Sequence, residues 1–450
     1  MNCIRSRRRV PSSACVQLGA LDRILTNEEI ETVCRQLGHA WRERVLPPAV
    51  TVRSMVYRSL HPDKSIKGVL ADFAAAGEGF EAPPTDAAWC QARSRLPKAL
   101  WPEMIARSAR RGIDLAGAQF LYVGRPLYLV DGSTLSMPDT PKLVEAFGYA
   151  STKHGLSRFP VARITFIVRA GVEVVCNYRM GAYRQSEDAQ LHAIWQGIPR
   201  SSIVIWDRHF CSFYNLAKCR QRGVDVISRL HQRRNPAKLI ANGKRVGENE
   251  WLVAFDLAPQ LRKKYNDSTL PQQLAVRLIR VVFHRKGRRR QIWLVTTLLD
   301  SKRYTRRSIA RLYRRRWGIE TRIGHLKTTL KMNVLRSQTP DAVRSEVAAT
   351  VLAHNLTCIL IHQAARRARR AASRISFACA VKTLLAFSPA LRSASGARRL
   401  QLYRRMLNHI ANQTNPYRPG RIEPRLIKRD PVRYEFLKVS RAEARQLCLS

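Results

Sequence analysis

The sequence is short of acidic residues. Its 450 residues include 32 Asp and Glu against 80 Lys and Arg, which gives a formal net charge of +48 at pH 7. Self-repulsion on this scale opposes compaction unless a polyanion neutralises it. Nucleic acid is the natural polyanion, because each basic contact releases condensed counterions. A solvated basic surface like that of ribosomal proteins, the alternative, also implies nucleic acid. The composition therefore predicts a nucleic-acid-binding protein.

Three further features are missing, and each argues against a class of protein. The ten cysteines form no Cys-x-x-Cys pair, so neither a zinc site nor a disulfide framework is expected. The basic stretch Arg5–Arg9 is not followed by an apolar segment, so no signal peptide is predicted. The longest apolar run, Val351–Ile361, is short and contains His354 and Asn355, which indicates a core helix. We therefore expect a cytoplasmic protein with reduced thiols.

Both ends of the chain carry helical and basic patterns. Capping residues Thr26 and Thr85, followed by apolar residues at helical spacing, predict a helical domain over residues 24–120. Its basic faces fit a DNA-binding helix-turn-helix, with a plain helical bundle as an equal alternative. Residues 366–450 predict a basic helical C-terminal region, whose tail Pro416–Arg433 either lies along DNA or is solvated.

Between these regions the pattern changes to the strands of a mixed α/β core. Apolar or β-branched runs at Leu127–Val130, Ala162–Arg169 and Val172–Tyr178 predict three strands, with a hairpin at Ala170-Gly171. A helix, the strand Ser202–Trp206, a second helix and a last strand follow. This order is that of a ribonuclease H-like mixed sheet.

The segment Tyr313–Lys327 carries the most informative polar pattern. At about 100° per residue, an α-helix places four polar side chains within one sector of about 60°: Tyr313, Arg316, Glu320 and Lys327. An apolar stripe lies beside this row and can pack on a sheet while the row faces a groove. A carboxylate among a phenol, a guanidinium and an ammonium suits a site that holds a metal ion and a phosphate.

Two of the predicted strands end in an aspartate, Asp131 before Gly132-Ser133 and Asp207 before Arg208. Taken singly, each aspartate is better explained by a local turn or an ion pair. Together with Glu320, however, they give three carboxylates from separated elements, as two hard cations such as Mg²⁺ require. Other acids compete, but none follows such a strand: Asp139, Glu145, Glu187, Asp188 and Asp300.

These residues resemble a known family. The four polar residues of the helix stand at the Tyr-x2-Arg-x3-Glu-x6-Lys spacing of bacterial insertion-sequence transposases with an Asp-Asp-Glu active site, the insertion-sequence-4 type. Asp131-Gly132-Ser133 and Asp207-Arg208 are similar to the two aspartate motifs of that family. The resemblance covers Tyr128–Leu330. It implies a ribonuclease H-like catalytic core that binds terminal inverted repeats, cuts the element ends and joins them to target DNA.

The resemblance also implies roles for individual residues. Asp131, Asp207 and Glu320 are expected to be catalytic and to hold two Mg²⁺ ions, for which Mn²⁺ substitutes. The other three residues of the helix signature are expected to bind DNA phosphates: Tyr313, Arg316 and Lys327. The expected partner is double-stranded DNA, bound by a homodimer on paired ends at the bacterial nucleoid, without a membrane partner.

A long gap separates Asp207 from Glu320, and basic turns such as Arg285–Arg290 divide β-type runs within it. The gap predicts a β-rich insertion, which in similar transposases helps to handle DNA ends. Its Trp251 is a better candidate for the core than for stacking on a base. The predicted division of the chain is a flexible basic N-terminus (1–23), a helical DNA-binding domain (24–120), a catalytic core (121–231 and 301–365), the insertion (232–300) and a basic C-terminal region (366–450).

Three alternative functions remain at this point. A metal-dependent nuclease of the same fold would cut DNA without joining the ends, and it is the serious alternative. A tyrosine recombinase would use Tyr313 as a covalent nucleophile, but that chemistry leaves the carboxylates unexplained. A non-catalytic DNA-binding relative would lack at least one carboxylate, and all three are present.

Overall fold

The computed structural model describes residues 19–42, 46–75, 84–152, 155–285 and 288–416, with four further positions near the C-terminus (439, 443, 446 and 447). The predicted flexible N-terminus therefore lies mostly outside the described residues. The same holds for residues 417–433 of the predicted tail and for residues 286–287 of the predicted basic turn.

Helices make up the N-terminal region, where the predicted caps form: the side chains of Thr26 and Thr85 accept hydrogen bonds from the N–H groups of Glu29 and Ala88. The helices here are α1 (Asn27–Gln36), α2 (Pro48–Leu60), α3 (Ile66–Ala75), α4 (Asp86–Arg95) and α5 (Leu100–Ala116). The later helices are α6 (Pro141–Phe147), α7 (Glu187–Ile194), α8 (Phe213–Gln221), α9 (Pro236–Ala241), α10 (Pro259–Tyr265), α11 (Arg306–Arg315), α12 (Trp317–Gly324), α13 (Pro340–Arg367), α14 (Phe377–Ser393) and α15 (Gly396–Asn412).

The strands of the described residues join into one 11-stranded sheet. They are β1 (Leu121–Tyr122), β2 (Arg125–Ser136), β3 (Tyr149–Thr152), β4 (Gly155–Arg169), β5 (Val174–Ala182), β6 (Ile203–Trp206), β7 (Asp225–Arg229), β8 (Lys244–Gly247), β9 (Glu250–Asp256), β10 (Gln273–Arg285) and β11 (Arg288–Thr296).

The centre of the sheet has the predicted ribonuclease H-like topology. Strands β2, β4 and β5 form an antiparallel meander, with β4 between the other two. Strand β6 then pairs parallel to β2 on its other side, and β7 pairs parallel to β6. The spatial order is therefore β5-β4-β2-β6-β7, and the parallel crossovers are made through α7 and α8.

The predicted β-rich insertion is present, and it extends the same sheet. Strand β11 pairs antiparallel to β7, and β10, β9 and β8 follow in order. Trp251 is half-buried and lies against Trp293, with 5.8 Å between the ring centroids. The insertion therefore covers the β7 edge of the central strands.

Alternate side chains of the central strands point to opposite faces of the sheet, and each face has its own core. One core contains the odd-numbered residues of β2 and β6, with residues of α5, α12 and α13: Leu127, Leu129, Ile203, Ile205, Ile105, Ile319 and Val351. The other contains the even-numbered residues, with α7 and α8: Tyr128, Val130, Val204, Trp206, Leu191 and Leu216. On β2 and β6, therefore, odd-numbered residues face the first core and even-numbered residues face the second.

Helix α13 is the centre of the helical layer and packs on α5, α2 and β5. By length and composition it is apolar enough to cross a membrane, but 94% of its most apolar window is buried inside the protein. The predicted core helix at Val351–Ile361 is confirmed. The N-terminal helices share this core with the sheet, so they do not form a separate body.

Two predicted elements differ from the structure. Strand β2 does not end at Asp131, because it continues through Ser136 with β4 as its partner; only the β6 side stops pairing, after Leu129. The helix Tyr313–Lys327 is not one regular α-helix. It is interrupted at Arg316, between α11 and α12, and becomes a π-helix at His325–Thr329. A period of 3.6 cannot anticipate this change of winding.

Candidate active site

Asp131 lies on β2, and Asp207 immediately follows β6, the neighbouring parallel strand. Leu127 pairs with Ile203 and Leu129 with Ile205, and the same offset sets Asp131 opposite Asp207. Asp131 has the parity of Leu127 and Leu129, so it points to the face on which α12 packs, and Asp207 is close enough to act on its charge. The polar site begins where β6 ends at Trp206 and the two strands stop pairing.

Asp131 is largely buried, with 19% of its side chain exposed. Its Oδ1 accepts a hydrogen bond from the N–H of Gly132 at 2.9 Å. The pKa of Asp131 is raised to about 6, chiefly by burial and to a smaller extent by the nearby charges of Asp207 and Glu187; the Gly132 N–H and Arg316 oppose the rise. A carboxylate in these surroundings is short of positive charge.

Asp207 follows β6 and caps a single turn of 3₁₀-helix, Arg208–Phe210. Its side chain accepts a hydrogen bond from the N–H of His209 at 2.8 Å. Its carbonyl oxygen accepts one from the hydroxyl of Ser228 on β7, at 3.0 Å. The aspartate is therefore fixed from both sides at the end of its strand.

Glu320 reaches the same site from α12, with Arg316 between it and Asp131. The Nη2 of Arg316 donates to Oε1 of Glu320 at 2.7 Å, and its Nη1 lies 3.6 Å from Oδ2 of Asp131. Arg316 is 15% exposed and Glu320 38% exposed. The guanidinium thus holds a positive charge between two of the three predicted carboxylates.

The other two residues of the helix signature also reach this region. Tyr313 is half-buried against the core, and burial raises the pKa of its hydroxyl. Lys327 lies on the π-helix and points back to β2, where its Nζ donates to Ser133 Oγ at 3.2 Å and to the carbonyl of Thr134 at 3.0 Å. Burial lowers the pKa of Lys327. The structure therefore brings all six predicted residues to one edge of β2.

A further acid, Glu187, belongs to this cluster and was set aside as a competitor in the sequence. It stands in the first turn of α7, on the opposite face of the sheet, beside Gly132. A Cβ on Gly132 would lie only 2.4 Å from Cδ of Glu187. Burial raises the pKa of Glu187, and the negative charge of Asp207 also raises it. The glycine after Asp131 is the sequence signal, because its missing side chain admits the carboxylate.

The donor set fits a divalent cation, although the predicted arrangement is not fully assembled. Among the described residues no three acidic, histidine or cysteine side chains are grouped closely enough to hold an ion. The Arg316 guanidinium lies between Asp131 and Glu320, where a shared cation would otherwise bridge these two carboxylates. Carboxylate oxygens are nevertheless the ligands that hard cations prefer, and a cation would relieve the charge around Asp131.

Comparison with known proteins identifies the family. The Transposase DDE domain family matches residues 123–356, just over half of the chain. The chain belongs to this family. The match begins immediately before β2, ends within α13 and includes every residue of the candidate site. The protein is therefore a transposase, an enzyme that acts on DNA, and its family uses divalent metal ions.

Individual proteins agree with this family. The Transposase InsG for insertion sequence element IS4 of Escherichia coli (strain K12) is 24% identical over 321 residues, which is 70% of this chain and 70% of that protein. The Putative transposase InsZ of the same organism is 30% identical over 137 residues, or 30% of this chain and 45% of that protein. The predicted insertion-sequence family is confirmed.

One solved structure is also similar to the chain, a piggyBac transposase in a synaptic complex with hairpin DNA. The two share 11% identity with a TM-score of 0.43, over 90% of this chain and 85% of that one.

Proposed function

We propose that this transposase binds the terminal inverted repeats of an insertion sequence, hydrolyses the phosphodiester bonds at their ends and transfers the ends to target DNA. Asp131, Asp207 and Glu320 are the catalytic carboxylates in this proposal. Two divalent ions, Mg²⁺ or in its place Mn²⁺, are the cofactors. The protein acts as a homodimer on paired ends, at the nucleoid in the bacterial cytoplasm.

One observation carries the proposal: the parallel pairing of β2 and β6. Asp131 lies on β2 just beyond this pairing and Asp207 immediately follows β6, while Arg316 hydrogen-bonds Glu320 and lies 3.6 Å from Asp131. Two carboxylates that are distant in sequence thus lie at the end of the parallel strand pair, and a third is joined to Asp131 through Arg316. Local turns or surface ion pairs give no reason for this convergence.

The chain's own residues supply binding and orientation. Asp131, Asp207 and Glu320 would hold the metal ions, which supply activation of the attacking water or 3′-hydroxyl and stabilisation of the leaving oxygen. Arg316 presents a planar fork that binds a phosphate in a bidentate way once it leaves Glu320. Lys327, fixed on Ser133 and Thr134, places an ammonium beside the strand of Asp131. Tyr313 donates a hydrogen bond to a phosphate oxygen.

The carboxylates are tested by replacing them one at a time. Asp131→Ala, Asp207→Ala and Glu320→Ala should each abolish Mg²⁺-dependent cleavage of the element ends while DNA binding is largely retained. Glu145→Ala, which removes an exposed carboxylate of α6, is the matched control and should cleave normally. Cleavage by Glu320→Ala near the wild-type rate would remove Glu320 from the site.

A second assay separates transposition from simple hydrolysis. A pre-cleaved element end with a free 3′-hydroxyl is incubated with a supercoiled plasmid, the protein and Mg²⁺. Joined products that disappear in Asp131→Ala are expected. Cleavage of uncut ends without any joined product would favour the metal-dependent nuclease, the alternative of the same fold.

A further inference from the structure

A cavity of about 460 Å³ lies beyond the candidate active site, between α2, α4, α13 and residues 330–336. Residues 333–335 run beside the end of β2: the N–H of Ser136 donates to the carbonyl of Asn333 at 3.1 Å, and the N–H of Leu335 donates to the carbonyl of Ser136 at 2.9 Å. Lys327 lines both this cavity and the active-site edge of β2. The cavity is therefore walled by a segment that runs beside the end of β2, the strand that carries Asp131.

The lining combines an apolar floor with an excess of cations. Met55, Leu330 and Leu335 contribute apolar surface. Five basic side chains line the cavity against the single carboxylate of Glu346: Arg58, Arg93, Lys327, Lys331 and Arg336. Glu346 is already engaged, because it accepts hydrogen bonds from the backbone N–H groups of Arg336 and Ser337. Such a lining attracts an anion that carries an apolar group.

Arg58 is the cation with the fewest partners. Its Nε is enclosed by protein and has no hydrogen-bond partner within the described part of the chain, and its guanidinium lies 5.9 Å from the Trp89 ring centroid. Arg93 stacks on the same ring at 5.2 Å and donates to Ser337 Oγ. Burial and the neighbouring Arg336 lower the pKa of Arg58. A guanidinium held beside another cation is stabilised by an anion, and a phosphate in the cavity would supply that charge to Arg58.

We propose that this cavity binds one phosphate and its nucleoside from the DNA strand that leaves the catalytic groove along β2. The inference rests on the proposed function, because that function sets DNA at Asp131. The cavity volume is within the range of small-ligand pockets, about 300–1,000 Å³. Asp131 and Ser136 are five residues apart, or roughly 17 Å along a strand. At about 3.4 Å per nucleotide step, the contact lies about five nucleotides from the scissile bond.

The first test compares arginines inside and outside the cavity. Arg58→Gln and Arg336→Gln should each weaken binding of a fluorescein-labelled duplex in Ca²⁺ by about tenfold and lower the salt slope by about one. Arg200→Gln, at the opposite end of β6 and exposed, is the matched control and should change neither quantity. Thermal unfolding of each variant checks the fold, and the exposed Arg336 keeps the test valid if Arg58→Gln unfolds. Unchanged affinity in Arg336→Gln, or equal weakening in Arg200→Gln, would overturn the proposal.

A second test locates the contact directly and separates DNA from a free nucleotide. 5-Iododeoxyuridine, placed at successive positions from the strand end, should cross-link to α2 or to residues 330–336 most strongly about five nucleotides away. Cross-links to other elements at that position would overturn the proposal. Thermal stabilisation by deoxyadenosine monophosphate, lost in Arg58→Gln without any change in DNA affinity, would show a free-nucleotide site instead. Mg²⁺-dependent cleavage by the wild-type protein is measured separately, so a failure of the proposed function is distinguished from a failure of this contact.

Discussion

At the scale of single residues, Arg316 supplies the positive charge that lies between the carboxylates of the candidate site. Its guanidinium hydrogen-bonds Glu320 and lies 3.6 Å from Asp131, where the proposed metal would place its own positive charge. Asp131 has two further acids near it, Asp207 and Glu187. The charge balance of the site therefore depends on one arginine. In the proposed function, this arginine binds a DNA phosphate once metal ions are present.

The raised pKa of Asp131 predicts that this residue lowers stability near neutral pH. Its folded-state pKa of about 6 exceeds the ordinary value of 3.8, so the folded protein binds the proton more tightly than the unfolded chain. Stability therefore falls as pH rises through that window, and the loss is complete above about pH 6. Asp131→Asn in EDTA should be more stable by about 1–3 kcal/mol at pH 7.5, measured by urea unfolding.

The same experiment contains its own check. The gain from Asp131→Asn should shrink as the pH approaches 4, since the wild-type aspartate is then protonated in the folded protein. The exposed Glu145→Gln should show no comparable gain. A gain that is the same at pH 4 and pH 7.5 would mean that the carboxylate charge is not its cause.

Tyr313 separates metal-dependent chemistry from a covalent tyrosine mechanism. A phenol that binds phosphate contributes one hydrogen bond, about 0.5–1.5 kcal/mol net. Tyr313→Phe should therefore keep metal-dependent cleavage, reduced by about tenfold, in a gel assay with labelled ends. A covalent nucleophile cannot lose its hydroxyl. A protein–DNA adduct that forms with wild type and disappears in Tyr313→Phe would contradict the proposed mechanism.

At the scale of elements, the π-helix at His325–Thr329 sets the position of Lys327. Its i→i+5 hydrogen bond, from the N–H of Leu330 to the carbonyl of His325 at 3.0 Å, inserts one residue per turn. Leu326 and Leu330 remain buried, while Lys327 donates to Ser133 and Thr134 of β2. The change of winding lets the same segment bury its apolar stripe and hold its ammonium on the catalytic strand.

Asn355 joins three elements and is fully buried. Its Oδ1 accepts from the N–H of Val175 at 2.8 Å, and its Nδ2 donates to the carbonyl of Val175 at 2.9 Å and to Ser108 Oγ at 3.0 Å. The β4–β5 pairing shifts register beside Val175, between Ile167 and Val168. The asparagine that interrupts the apolar run of α13 thus satisfies backbone groups of β5.

Replacing Asn355 should cost far more than a typical hydroxyl deletion in the same helix. Asn355→Leu leaves the N–H and carbonyl of Val175 buried without this partner, so we expect a loss of about 2–4 kcal/mol in urea unfolding. Thr357→Val is the control: Thr357 is also buried, but among the described residues its hydroxyl bonds only to the carbonyl of Ala353 in its own helix, and about 1 kcal/mol is expected. Equal losses in the two variants would show that the link to β5 is unimportant.

At the scale of the whole molecule, the net charge of +48 predicts that the affinity for DNA depends strongly on salt concentration. A protein that neutralises 6–10 phosphates loses about 10³–10⁵ in DNA affinity between 50 and 200 mM salt. We expect a decrease of at least about 10³ for a duplex of any sequence, measured by fluorescence anisotropy. The melting temperature should rise when DNA is added at low salt, because bound DNA relieves self-repulsion. A salt-independent affinity would contradict the charge argument.

The fold was largely predictable because its determinants are local or periodic. The caps at Thr26 and Thr85, the hairpin at Ala170-Gly171 and the alternation of strands with α7 and α8 are all readable from neighbouring residues. The continuation of β2 through Ser136 was not, because it depends on pairing with the distant β4. The same holds for the insertion, whose attachment to β7 through β11 is a long-range contact.

For the site, the sequence by itself determined which residues are available and which family the chain belongs to. Only the tertiary structure decided their arrangement. The register of β2 against β6 brings Asp131 and Asp207 together, the missing side chain of Gly132 admits Glu187 from the other face, and Arg316 lies between the carboxylates. Each of these features is a distance between elements that are remote in sequence. Tertiary packing sets such distances, so the local periodicity of the sequence cannot predict them.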